Sequence, residues 1–227
     1  MCDIIKKVII GGGKMFKIRM VYRNKVPYGV VATKMSTLCA EGDAALCDSF
    51  EKLKYLVSYD KACVADAKIE GFREYIDVCN KRSETLKNMS RQTYLKYGIR
   101  SLSSQAIAER QRLKTERKSW DCCAEMLNTK ISALDDDKFY TAEVLSRRFH
   151  SLLKILKFKM VSRKCDMSGL ATEVYESTIP DSELKWSFDN LYTKLKLQNQ
   201  EQIAKEKDSF VTSNLIIEDD RSIERAE

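Results

Sequence analysis

Proline is nearly missing from this 227-residue chain: only Pro27 and Pro180 occur, and none falls from residue 28 to residue 179. Proline interrupts helices by removing a backbone donor and clashing with the preceding turn, so its scarcity leaves room for long ones. Histidine occurs once, at His150. That excludes the common multi-histidine metal centres and leaves acid–base catalysis with a single imidazole. No apolar run approaches the roughly 20 residues of a membrane span. The opening MCDIIKKVII places Lys6 and Lys7 inside what a secretory leader would keep apolar, so no leader is read there. The one Asn-x-Ser of note, at Asn88, lies inside a helical pattern.

What is present is charge and cysteine. Apolar residues make up 44% of the chain and charged residues 32%, which excludes a wholly disordered chain and favours long solvated helices. The net charge of +7 is uneven. Residues 1–42 hold eight basic and two acidic side chains, residues 139–168 seven and two, and residues 169–227 seven and thirteen. Such asymmetry points to an anionic partner, or to the acidic end of the chain answering the basic parts. The eight cysteines (Cys2, Cys39, Cys47, Cys63, Cys79, Cys122, Cys123 and Cys165) are read as free thiols in a reducing compartment, since a chain of this length builds a core without staples. The location expected is intracellular, in the cytoplasm or peripheral at a membrane.

Hydrophobic periodicity divides the chain. Phe16, Ile18, Met20 and Tyr22 alternate with Lys17, Arg19 and Arg23, and apolar runs lie at 4–10 and 26–35. A basic region of two or three short antiparallel strands is expected within about residues 3–35. From residue 43 the period becomes helical. Leu46, Phe50, Leu53 and Val57 define a helix over 43–59; Ala65, Ile69, Phe72, Ile76 and Cys79 define another over 62–90. Ile99, Ala106, Leu113, Trp120, Leu127 and Leu134 recur every seven residues, a coiled-coil-like seam ended by Asp135–Asp137. A last helix follows Pro180, with Leu184, Phe188, Leu191 and Leu195 as its apolar stripe, then a β-like run at 210–217 and a flexible acidic tail. The fold class expected is therefore α+β, mainly α: N-terminal strands (1–42), a bundle of about five helices (43–209), and the tail (210–227).

Between the seam and the last helix lies the most informative stretch, residues 144–165. It carries Arg147, Arg148, Lys154, Lys157, Lys159, Arg163 and Lys164 and no acid. Read as one helix over 144–164, it places Leu145, Phe149, Leu152, Leu153, Leu156 and Met160 in one arc of about 100°, the width of a core-facing stripe. The stripe is expected in the core, with the basic rim left to contact an anionic partner.

The other motifs name no chemistry. Gly11-Gly12-Gly13-Lys14 lacks the earlier glycine and the following Ser or Thr of a phosphate loop, and reads as a turn. Cys122-Cys123 is vicinal and has no second pair at zinc-ligand spacing. No catalytic residue, metal, cofactor or small-molecule substrate is assigned. The expectation is a non-enzymatic interaction or assembly protein. Its seam residues Leu113, Trp120, Leu127 and Leu134 would serve self-association or a helical protein partner. Two alternatives use the charge instead. An RNA-binding protein would use the basic helix with a secondary surface of Lys17, Arg19, Arg23 and Lys25. A peripheral membrane protein would lay the amphipathic helix on an anionic surface. In size, 26.2 kDa, and in its lack of catalytic motifs the chain resembles accessory proteins of plant RNA viruses, criniviruses among them, which implies an accessory role.

Overall fold

In the computed structural model, residues 15–25, 32–100 and 103–223 are described. In chain order they form β1 (Lys17–Lys25), β2 (Ala32–Glu41), α1 (Ala44–Tyr97), α2 (Ser104–Asp136), α3 (Ala142–Ile155), β3 (Phe158–Cys165), β4 (Leu170–Ser177) and α4 (Asp181–Ile223). The chain is mainly helical with one small antiparallel sheet, in the order β2-β1-β4-β3. It divides into two units: residues 1–60 with 139–199, and residues 61–138 with 200–227.

The first unit is the sheet with helices on one face. The alternation read at 16–22 is realised: Phe16, Ile18, Met20 and Tyr22 are buried. They meet Leu46, Phe50, Leu53 and Val57 of α1, Phe149, Leu152, Leu153 and Leu156 around α3, and Leu184 and Phe188 of α4. At the centre the Phe16 ring lies edge-on to Phe50, Phe158 and Phe188, with centroids 5.8–6.5 Å apart. Aromatic pairs prefer this geometry because a ring's positive edge meets its neighbour's negative face. Gly42, at φ +147, passes so close to the Phe16 ring that a Cβ there would sit 2.9 Å from it.

The second unit pairs α1 with α2. Leu113, Trp120, Ala124 and Leu127 pack on Tyr75, Cys79 and Leu86. The seven-residue seam is thus buried within one chain, and its partner is α1. Leu134 is half-buried, and Ile99 is exposed beyond the end of α1. Ser83 donates to Asp121 (2.6 Å), tying the helices beside this core.

Several expectations are corrected. One helix of 54 residues, α1, replaces the two read at 43–59 and 62–90. Ser58–Lys61 holds no Pro or Gly, and Ser58 simply bonds back to the Lys54 carbonyl (2.7 Å), as a helical serine does. Among the described residues four helices stand where about five were expected. The basic stretch is not one helix: α3 ends at Ile155, and Phe158–Cys165 is β3. Lys157 makes the break by adopting a left-handed conformation (φ 58), and its carbonyl accepts from Thr178 N–H (3.2 Å). Gly169 (φ 75) serves the β3–β4 turn rather than a helix end, while Asp166 caps that turn by accepting from the backbone of Ser168 and Leu170. The run at 210–217 is helical, part of α4. The apolar run at 4–10, the glycines at 11–13 and the strand beginning at 26–31 fall outside the described residues.

Replacing Phe188 by Ala should lower unfolding free energy by about 3–5 kcal/mol in chemical denaturation, as large-to-small changes in a packed core do. Trp186→Ala, two residues away but 67% exposed, should change it by less than about 1 kcal/mol.

Candidate functional site

Two faces of the sheet carry different chemistry. Paired residues of antiparallel strands share a face, so the register assigns each side chain. Lys17, Arg19, Val21 and Arg23 of β1 lie opposite Glu176, Val174, Thr172 and Leu170 of β4. Glu176, Val174 and Thr172 in turn lie opposite Lys159, Ser162 and Lys164 of β3, with a bulge at Val161. On the other flank Glu41, Cys39 and Thr37 of β2 complete the face. The helices pack on the opposite side, so this face is open among the described residues.

Among the described side chains, the open face gathers five basic ones, Lys17, Arg19, Arg23, Lys159 and Lys164, all exposed, against two carboxylates. Lys17 pairs with Glu176 (2.7 Å) and Arg19 with Glu41. Arg23, Lys159 and Lys164 have no carboxylate within ion-pair reach among the described residues. Basic residues far apart in sequence, on β1 and β3, thus meet on one surface because β4 lies between their strands. Among the described residues no aromatic ring stands on it.

The covered face holds a polar cluster near the β3 edge. Glu173 is 7% exposed, between Ala171 and Tyr175 on β4. Tyr175 Oη donates to its Oε2 (2.8 Å), His150 Nε2 lies 3.2 Å away, and Arg163 Nε stands 3.5 Å from Oε1. A buried carboxylate needs such partners, because an unpaired one loses its hydration without replacement. His150 is therefore not the plain surface residue its surroundings in sequence imply. Its Nδ1–H donates to the Ser146 carbonyl (2.8 Å), and its ring stacks on Tyr22, whose Oη is 3.1 Å from Nε2. Burial pushes the Tyr22 phenol up to about 12, with the negative charge of Glu173 adding to the rise. Burial and the hydrogen bond to Glu173 raise Tyr175 as well. Both phenols remain neutral donors at ordinary pH. Nothing here activates a nucleophile, and among the described residues no three His, Cys, Asp or Glu converge as a metal cradle would require.

The remaining sequence-assigned residues divide by role. Arg148 is bound to Asp60 and lies over the Tyr140 ring (4.3 Å), which fixes α3 to α1 inside the first unit. Arg163 belongs to Glu173, Lys157 pairs with Glu183 (3.6 Å) and Arg147 with Glu143 (3.5 Å). Lys154 is exposed on α3, on the side of the sheet away from the open face. Lys25 ends β1. Sequence reasoning missed β4 altogether, and with it Glu173 and the strand that unites the basic residues. No family model, curated protein or solved structure matches the chain. No helix among the described residues is long and apolar enough to cross a membrane.

Removing the Glu173 carboxylate as Glu173→Ala should destabilise the protein by about 1–3 kcal/mol, the cost of leaving the buried Tyr175 hydroxyl without its acceptor. Tyr22 also gives a pH dependence. A phenol titrating near pH 10 when unfolded and near 12 when folded stabilises the fold fully below about pH 10. That contribution is lost as pH rises through 12, because the unfolded chain ionises first. Unfolding free energy should fall over this window more steeply in the parent than in Tyr22→Phe, measured by denaturation at each pH.

Proposed function

We propose that the chain is a non-enzymatic interaction protein that binds nucleic acid, RNA foremost, through the open face of its sheet. The observation that carries this reading is the meeting of β1 and β3 cations on a face that no described helix covers. Phosphate attraction dominates nucleic-acid affinity and needs cations free to replace counterions. Arg23, Lys159 and Lys164 meet that need. Open antiparallel sheets are a known kind of platform for RNA strands. With no ring on the face, contact would be to phosphates and sugars, and so tolerant of sequence.

The competing readings lose their surfaces. A membrane-surface helix needs an exposed apolar face, but Phe149, Leu152, Leu153 and Leu156 are core residues. Self-association through the seam needs Leu113, Trp120 and Leu127, which α1 covers.

The test is fluorescence anisotropy with labelled single-stranded RNA, comparing the parent with the triple variant Arg23→Glu, Lys159→Glu, Lys164→Glu. Affinity should drop at least about tenfold, and the slope of log affinity against log salt should become shallower by about two, for three lost contacts to a single strand. Lys154→Glu should leave binding unchanged. Equal affinity and equal slope in the triple variant would sink the proposal. So would loss confined to flotation with anionic vesicles.

A further inference from the structure

The second unit carries a groove that the sheet reading does not use. It runs between α1 and α2, has a volume of about 750 Å³, and is lined by Leu86, Ser90 and Tyr94 on one side. The other wall is α2, which presents Arg110, Lys114, Arg117, Lys118 and a single acid, Asp121. Spacings of four, three, one and three residues put these five on one helical stripe roughly 16 Å long at 1.5 Å per residue. Leu86 and Leu113, both buried, form its apolar floor.

The cations are not equivalent. Arg110 is committed: its guanidinium sits 4.4 Å from the centroid of the Tyr94 ring and donates to the Gly98 carbonyl (2.6 Å). Gly98, at φ 79, ends α1 in the left-handed conformation that glycine adopts most readily. Arg110 therefore braces the helix connection and holds the ring, which is 41% exposed. Arg117 pairs loosely with Asp121 (3.5 Å). Lys114 and Lys118 are exposed and have no carboxylate partner among the described residues.

We infer that this groove is a second nucleic-acid site, one that takes an unpaired strand. Lys114 and Lys118 meet successive phosphates, and a base stacks against Tyr94, with the exposed Ile107 extending the apolar contact. Two features select that ligand. The wall is cationic, which calls for an anion. The held, half-exposed ring beside the cations is the combination that binds single strands, because every base offers a π-face and stacking is indifferent to sequence. An acidic peptide would use the lysines but not the ring. A duplex has its bases stacked on one another and cannot offer one to Tyr94.

The experiment uses the full chain and a labelled oligouridylate of roughly 16 nucleotides, a site size typical of such binders, beside an abasic strand of equal length. Lys114→Glu with Lys118→Glu should weaken both probes at least about fivefold, with a shallower salt slope. Tyr94→Ala should weaken the oligouridylate about fivefold or more, within the range of one lost stack, and leave the abasic strand unchanged. Lys114→Gln with Lys118→Gln, and Tyr94→Leu, guard against misfolding: they keep the helices intact and should show the same pattern in weaker form. Unchanged binding in both lysine variants overturns the site, as does equal loss of both probes in Tyr94→Ala. The sheet variant separates the two readings. If it binds as the parent does while the lysine variants fail, the groove stands and the sheet proposal falls. The reverse result removes the groove alone.

Discussion

Pairing of β1 with β4, from Lys17 opposite Glu176 to Arg23 opposite Leu170, is the constraint on which the first unit depends. It closes a loop of about 150 residues, at an entropic cost on the order of 4 kcal/mol beyond the constant term. Burial offsets that cost. Four inward side chains of this segment, Phe16, Ile18, Met20 and Tyr22, are almost wholly removed from water, and each such burial contributes roughly 1.5–3 kcal/mol. Without this pairing β2 would be left with β1 as an isolated hairpin, which is marginal in water. Arg23 would then have no fixed relation to Lys159 and Lys164. The same contact that builds the core therefore also assembles the charged surface.

The elements legible in the sequence were those whose inward residues are mainly apolar. β1 and the stripes of α1, α2 and α4 announced themselves by period, and their buried sets match. β4 did not, for a physical reason. Its inward positions are Ala171, Glu173, Tyr175 and Ser177, so half of its covered face is polar and the alternation carries no hydrophobic signal. Glu173 is tolerated there only because Tyr175, His150 and Arg163 converge on it, and two of those three come from other elements. The helix end at Leu156 was hidden differently. A left-handed residue after a helix is usually glycine, and here it is lysine. Leu156 and Phe158, on either side of that turn, both pack into the core. Tertiary packing thus holds a conformation that the local sequence does not favour. At 210–217 local β propensity was a poor guide, as it often is outside a sheet context.

Charge was harder to read than hydrophobicity because its pairing is non-local. Seven cations within 22 residues looked like one surface. Four of them have carboxylate partners, and Arg148 finds its own at Asp60, 88 positions away. Such pairs contribute little when exposed and hold geometry when half-buried. The cations left for function are those the fold does not need, and no count along the sequence separates the two kinds.

The two proposed sites also differ in what they can recognise. The proposed sheet site offers charge without rings among the described residues, so on that proposal it would take any phosphate backbone and distinguish little among them. The groove offers charge with a fixed tyrosine, so it favours a base released from its pair. Each has few free cations, and each alone should bind weakly at physiological salt. A polymeric ligand changes that arithmetic. Once one stretch of strand is held, the next binds as an intramolecular event at raised effective concentration, provided the strand between them can span the gap. Affinity should then rise steeply at the length where both sites are engaged. A mononucleotide, which cannot bridge, would gain nothing from the presence of the second site.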